Sequence, residues 1–129
     1  MLGKSVEKIR ASFGDFYFHG DGLMEAVIDE GVEVDANHID EMLGIFKQTN
    51  PPTRFLLANR KNRYSFSFPA LLKIANSKEV EYVAILKHRK KTPLLGQFLQ
   101  PKFFAMAVFD DRQQAFDWLI TKTQTKKAA

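Results

Sequence analysis

The chain has 129 residues, of which 45% are hydrophobic, so it has room for one domain with a substantial core and none for a second domain. Its formal net charge of +4 falls to +1 without Lys122, Lys126 and Lys127, which does not indicate a dedicated nucleic-acid binder. The absence of cysteine excludes disulfides, thiolate catalysis and cysteine zinc sites, and no apolar run approaches the roughly 20 residues that span a bilayer.

The first part of the chain predicts a β-hairpin. Residues 15–20 and 23–29 have the composition of two strands, and they flank Asp21-Gly22. This dipeptide favours the positive φ angles that both central residues of a type I′ turn require. Residues 6–13 predict a further strand at the edge of the sheet.

A helix is predicted next, with Asp35 as its N-cap. Its apolar residues have the spacing of one buried stripe, and they are Ile39, Met42, Leu43 and Phe46. The sequence Asn-Pro-Pro at 50–52 predicts its end.

Two strand and helix pairs follow. Residues 54–58 and 81–86 are short apolar runs, as expected of buried strands. Ser67 is the predicted N-cap of the second helix, with Pro69 in its first turn and an apolar face of Leu71, Leu72 and Ala75. A third helix is predicted to open at Thr92-Pro93, to bury Leu94, Leu95, Phe98 and Leu99, and to stop at Pro101.

The last pair is the clearest. Residues 103–109 predict a buried strand, Asp110 and Asp111 offer helix caps, and one apolar helical face consists of Ala115, Phe116, Trp118 and Leu119. The polar, basic residues 122–129 predict a flexible tail. The sequence thus predicts a single α/β domain over residues 1–121, in which an N-terminal hairpin precedes repeated strand and helix units that form a mixed sheet with about four helices.

No pattern of metal-ligating or catalytic residues stands out. His19, His38 and His88 have no ligand spacing, and solvated or capping roles account for all three. Adjacent carboxylates such as Asp110-Asp111 are explained by helix capping. We therefore expect no metal, no cofactor and no enzymatic activity.

Two basic clusters follow predicted strands. Arg60, Lys61 and Arg63 come after one strand, and Lys87, His88, Arg89, Lys90 and Lys91 come after the next. If these strands are parallel neighbours, both clusters lie at one edge of the sheet, beside the helix N-termini at Ser67 and Thr92. Such a surface suits an acidic protein, a phosphate group or an anionic lipid, and solvated loops are the alternative.

Hydroxyl groups cluster at the entry to the second helix, at Tyr64, Ser65 and Ser67. Ser67 is most simply a helix cap. The alternative is a phosphorylation switch at Ser67 or Ser65, because a phosphate beside Arg and Lys would reshape this surface.

The order of these segments and the closing sequence D-D-R-Q-Q-A-F-D-W-L, residues 110–119, resemble the SpoIIAA-like STAS domains of anti-sigma factor antagonists. The resemblance extends over residues 15–121 and points to a divergent bacterial branch grouped with lipid-binding Sec14-like domains. It implies a STAS-like sandwich and a non-enzymatic regulatory role. In those antagonists a kinase phosphorylates a Ser at the start of the second helix, which Ser67 matches approximately, although Phe66-Ser67-Phe68-Pro69 replaces the family's Asp-Ser-Ser-Gly type of sequence.

The leading hypothesis is therefore a cytoplasmic domain that recognises a protein partner through the N-terminus of the second helix and the basic loops. Residues 1–14 carry charges throughout and lack the apolar block of a signal peptide, which is the basis for the location. A small-ligand or lipid-binding domain is the alternative, with a pocket between the first helix and the helix at residues 94–99. Nucleic acid is not an expected partner, and a homodimer through the strand at 6–13 or the hairpin is a further expectation.

Overall fold

The computed structural model describes residues 6–89 and 103–128, with side chains up to Thr125. Within them, the chain forms eight strands and three helices. Their order is β1 (Glu7–Ala11), β2 (Gly14–Phe18), β3 (Leu23–Ile28), β4 (Glu33–Val34), α1 (Ala36–Gln48), β5 (Phe55–Arg60), β6 (Ser65–Phe66), α2 (Phe68–Ala75), β7 (Tyr82–Lys87), β8 (Ala105–Phe109) and α3 (Arg112–Ala128). The predicted α/β domain is confirmed, while the helix predicted at 92–100 lies outside the described residues.

Six strands form one mixed sheet in the order β1-β2-β3-β5-β7-β8. The first three strands are antiparallel, and β3, β5, β7 and β8 are parallel. The short strands β4 and β6 pair separately. Since all four parallel strands point the same way, the loops that follow them lie at one edge of the sheet.

The predicted hairpin is confirmed. The backbone N–H of Leu23 donates to the carbonyl oxygen of Gly20 at 2.9 Å, which closes a four-residue turn. Its central residues, Asp21 and Gly22, both have positive φ, at 54° and 78°. Asp-Gly therefore sets the antiparallel pairing of β2 with β3.

The two faces of the sheet have separate cores. One core packs beneath α1 and α2, where Phe16, Ile39 and Phe46 are almost fully buried. The other packs beneath α3, where Leu57, Ala115 and Leu119 are inaccessible to solvent. The sheet is thus covered by helices on both faces, as expected of parallel strands.

Three local predictions were wrong. Leu72 is 49% exposed, because α2 buries the side that carries Ala70 and Ile74. β8 is an outer strand and is only partly buried. The backbone of residues 122–128 continues α3 instead of forming a tail, and Thr123 is buried. Among the described residues, no helix is long and apolar enough to span a membrane.

Candidate functional site

The N-terminus of α2 has the cap that the sequence predicts. Ser67 Oγ accepts a hydrogen bond from the backbone N–H of Ala70 at 3.2 Å. The backbone N–H of Ser67 donates to the carbonyl oxygen of Val34 at 2.9 Å, which fixes the helix entry beside β4. Ser65, two residues earlier in β6, has an exposed side chain. The cap is confirmed, and phosphorylation of Ser67 or Ser65 stays a prediction.

Two large apolar side chains on α2 face solvent. Phe68 is 70% exposed and Leu72 is 49% exposed. They are four residues apart, so they lie on the same side of the helix, opposite the buried Ala70. Sequence analysis missed this surface, although seven of the eight residues of F-P-A-L-L-K-I-A are apolar, with Lys73 as the exception, and a helix on a sheet buries one side only.

The two basic clusters meet at the edge of the sheet where β5 and β7 end. Arg60 and Lys87 are paired in the parallel register of these strands. Arg89 Nη2 then donates a hydrogen bond to the carbonyl oxygen of Lys61 at 3.2 Å. The shared edge is confirmed for the described residues. Lys61 and Arg63 are exposed and Lys87 and Arg89 partly buried, whereas Lys90, Lys91 and Thr92 lie outside the described residues.

Arg60 does not belong to the exposed basic surface, contrary to the sequence expectation. It is only 7% exposed, and its guanidinium lies 4.6 Å from the centre of the Tyr64 ring. Its Nη2 also donates to the carbonyl oxygen of Tyr64 at 3.3 Å. Burial raises the pKa of Tyr64 to about 12, against the opposing effect of the Arg60 charge, so the phenol stays neutral at physiological pH.

A buried carboxylate lies on the α3 side of the sheet. Glu25 in β3 is 4% exposed, and three side chains donate hydrogen bonds to it. The donors are His19 Nε2 at 3.1 Å, Asn59 Nδ2 at 2.9 Å and Arg112 Nη2 at 2.7 Å. With its oxygens occupied in this way, Glu25 is an anchor for neighbouring elements and is poorly suited to act as a general base.

Two of the histidines take part in this network. This corrects the solvated role expected of His19, whereas His88 is exposed as expected and in addition contacts Asn59. His19 is partly buried against Glu25, with its ring 4.9 Å from that of Phe116. His88 Nε2 lies 2.7 Å from Asn59 Oδ1 and must donate, because an amide oxygen only accepts. His38 has the predicted capping role, since its Nδ1 accepts from the backbone N–H of Asp35 at 3.0 Å. Within the described residues, no three His, Asp or Glu side chains are grouped as a metal site.

An apolar cavity of about 70 Å³ lies on the other face of the sheet, beneath α1 and α2. Its walls include Ile39 and Met42 of α1, Ile74 of α2 and Val83 of β7. The first helix therefore flanks an apolar pocket, as the ligand-binding alternative requires. The other flank expected from the sequence, residues 94–99, lies outside the described residues.

Comparison with known proteins gives a similarity of fold. No family model matches the chain, and no curated protein matches it. It is similar to an uncharacterised protein of the DUF3478 family from Shewanella loihica PV-4, which is described as having a SpoIIAA-like fold. The two chains are 17% identical, the match covers 89% of this chain and 92% of that chain, and the TM-score is 0.45. Similarity at this level carries no conclusion about activity, ligand or partner.

Proposed function

We propose that this protein is a non-enzymatic, STAS-like regulatory domain that binds a protein partner through the N-terminal part of α2 and the adjoining basic loop. The observation that carries the proposal is the exposure of Phe68 and Leu72 on one side of α2. Large apolar side chains that remain accessible on a helix are typical anchors for a protein partner, because a partner removes them from water. We call these two residues the α2 patch.

Charge favours a partner with acidic groups around an apolar socket. Lys61 and Arg63 are exposed in the loop after β5, and Ser65 is exposed in β6, which connects this loop to α2. Cations beside an apolar contact speed association with an acidic surface and select its orientation. A phosphate on Ser65 would add negative charge to this surface and oppose binding.

The test is photo-crosslinking followed by affinity measurement. A photoreactive phenylalanine analogue placed at Phe68 in the native host should capture a partner, which mass spectrometry identifies. With the purified partner, Phe68→Asp and Leu72→Asp should each weaken binding at least ten-fold, and Lys61→Glu should slow association.

The matched control is Val6→Asp, because Val6 is 48% exposed and precedes β1 at the outer edge of the sheet. It should leave the affinity unchanged. The proposal fails if Phe68→Asp and Leu72→Asp bind the captured protein as tightly as the wild type does. Equal thermal stability of all variants would show that binding is measured and not folding.

The apolar cavity favours a second candidate function, the binding of a small apolar ligand or a lipid chain. Its walls expose almost only carbon atoms, and an apolar cavity of about 150 Å³, roughly twice this volume, takes up benzene or xenon. Native mass spectrometry of freshly purified protein would reveal a retained ligand as a discrete added mass. A Met42→Trp variant, which fills the cavity from α1, should lose that mass.

A further inference from the structure

The two outer strands of the described sheet differ in charge. β1 contains Glu7, Lys8 and Arg10 in five residues, whereas β8, with the sequence A-M-A-V-F, contains no charged residue. Charged side chains on an outer strand discourage pairing with another chain, and an uncharged outer strand invites it. Within the part of the chain that the structure describes, the β8 edge therefore lacks the charged side chains that protect β1.

The pairing of β8 with β7 determines which backbone N–H and C=O groups of β8 point away from the sheet. The N–H of Ala105 donates to the carbonyl oxygen of Glu81 at 3.0 Å, so the polar groups of Ala105 point towards β7. Successive residues of a strand direct their N–H and C=O groups to alternate sides. Met106 and Val108 consequently direct theirs to the outer side of the sheet.

We propose that two copies of this chain pair through β8 as antiparallel strands, with the two-fold axis at Ala107. In this register Met106 lies opposite the partner's Val108, and the outward N–H and C=O groups of both residues form four hydrogen bonds across the axis. The two six-stranded sheets then continue as one. This dimer uses the opposite edge from the strand at 6–13.

The side chains of β8 fit the same register. Val108, which is 38% exposed, acquires the partner's Met106 as a neighbour on the α1 and α2 face. On the α3 face, the exposed Ala105 lies beside the partner's Phe109, so a small residue meets a large one. Phe109 is already oriented by Trp118, with ring centres 5.7 Å apart.

The first test is the mass of the full chain in solution, measured by light scattering over a dilution series. The wild type should approach twice its monomer mass of 14.8 kDa as concentration rises. Val108→Lys, which places two like charges near the axis, should raise the dimer dissociation constant at least ten-fold. Val6→Lys makes the same chemical change at the other edge and should leave it unchanged. A wild type that stays monomeric, or a dimer that Val6→Lys disrupts and Val108→Lys does not, overturns the proposal.

The natural absence of cysteine permits a second, positional test. In the proposed register Ala107 faces its own copy as a non-hydrogen-bonded pair, in which the Cα atoms are about 4.5 Å apart, within the range of a disulfide. Ala107→Cys should therefore form a covalent dimer under mild oxidation, and Val6→Cys should remain a monomer. Failure of Ala107→Cys to cross-link, in a protein that remains folded, contradicts pairing at this axis.

Discussion

Arg112 Nη2 lies 2.7 Å from Glu25 Oε1, although the two residues are 87 positions apart. Arg112 is the first residue of α3, and Glu25 lies within β3. The Arg112 guanidinium also lies 4.5 Å from the centre of the Phe116 ring, one turn along the same helix. This contact holds the N-terminal end of α3 against the sheet, so α3 depends on a charge pair as well as on its apolar face.

The same contact makes stability depend on pH. Burial alone would raise the pKa of Glu25, but the hydrogen bonds from His19, Arg112 and Asn59 outweigh it and lower the pKa to about 2. The ordinary value for an unfolded chain is about 4.3. Because the folded-state pKa is the lower one, the stabilisation is complete above the unfolded value and is lost as pH falls from about 5 to about 2.

Replacement of the Glu25 carboxylate should therefore lower the free energy of unfolding by an amount that depends on pH. We expect Glu25→Gln to lower the free energy of unfolding at pH 7 by roughly 2–3 kcal/mol, since it leaves a weaker acceptor for the three donors. The difference from the wild type should shrink as pH falls from 5 towards 2, because the wild-type carboxylate then becomes protonated. Urea unfolding at pH 7, 5 and 3 measures both effects.

The control is Glu7→Gln, at an exposed position in β1. It should change the free energy of unfolding by less than about 0.5 kcal/mol at pH 7. If the cost of Glu25→Gln is the same at pH 7 and pH 3, the charge of Glu25 is not what stabilises the fold.

Two serines near the start of α2 give a matched test of the helix cap. Ser67→Ala should cost about 1 kcal/mol of stability, because the first-turn N–H of Ala70 loses its acceptor. Ser65→Ala removes the same hydroxyl from an exposed side chain and should be neutral within about 0.5 kcal/mol. Thermal unfolding of both variants decides the point, and equal melting temperatures would deny Ser67 a stabilising role as a cap.

The features that the sequence predicts well depend on a few neighbouring residues. The structure contains the predicted turn at Asp21-Gly22 and the predicted caps at Asp35 and Ser67. Each of these features depends on a particular kind of residue at a position with a particular backbone conformation. They can be predicted without knowledge of the rest of the fold, because the groups that form their hydrogen bonds lie within four residues of one another.

The features that it does not predict depend on contacts between distant elements. No feature of the neighbouring sequence indicates that Glu25 pairs with Arg112. A single carboxylate inside the apolar strand L-M-E-A-V-I does indicate, however, that a buried charge requires a hydrogen-bond donor. The exposed side of α2 could not be identified either, because apolar residues occur at seven of its eight positions and leave no clear polar face. Arg60 shows the same limit, since its burial over Tyr64 requires the loop after β5 to fold back.

Two phenylalanines on helices separate core packing from surface binding. Phe46 in α1 is 1% exposed and lies 6.2 Å from Phe16 between ring centres, whereas Phe68 in α2 is 70% exposed. Phe46→Ala should cost roughly 3–5 kcal/mol of stability through the cavity that it leaves. Phe68→Ala should cost less than about 0.5 kcal/mol.

Chemical denaturation of both variants tests this difference. If Phe46→Ala does not fold, Phe46→Leu is the milder substitute and should still be measurably less stable than the wild type. A large loss of stability in Phe68→Ala would mean that the α2 patch is part of the core and is not a docking surface.

Gly22 connects the hairpin turn to the start of β5. Its carbonyl oxygen accepts hydrogen bonds from the backbone N–H groups of Arg54 and Phe55, at 2.9 and 3.0 Å. A Cβ atom at Gly22 would lie 3.1 Å from the carbonyl oxygen of Pro52, whereas one at Gly31 would meet nothing within 4 Å. The two glycines have nearly equal positive φ angles, 78° and 80°, so they form a matched pair.

Gly31→Ala should lower the free energy of unfolding by about 1 kcal/mol for the left-handed backbone alone. We expect Gly22→Ala to cost more, because the backbone around Pro52 must also shift. Urea unfolding of both variants measures the difference. If Gly22→Ala lowers the free energy of unfolding no more than Gly31→Ala does, the close contact between Gly22 and Pro52 does not restrict the residue at position 22.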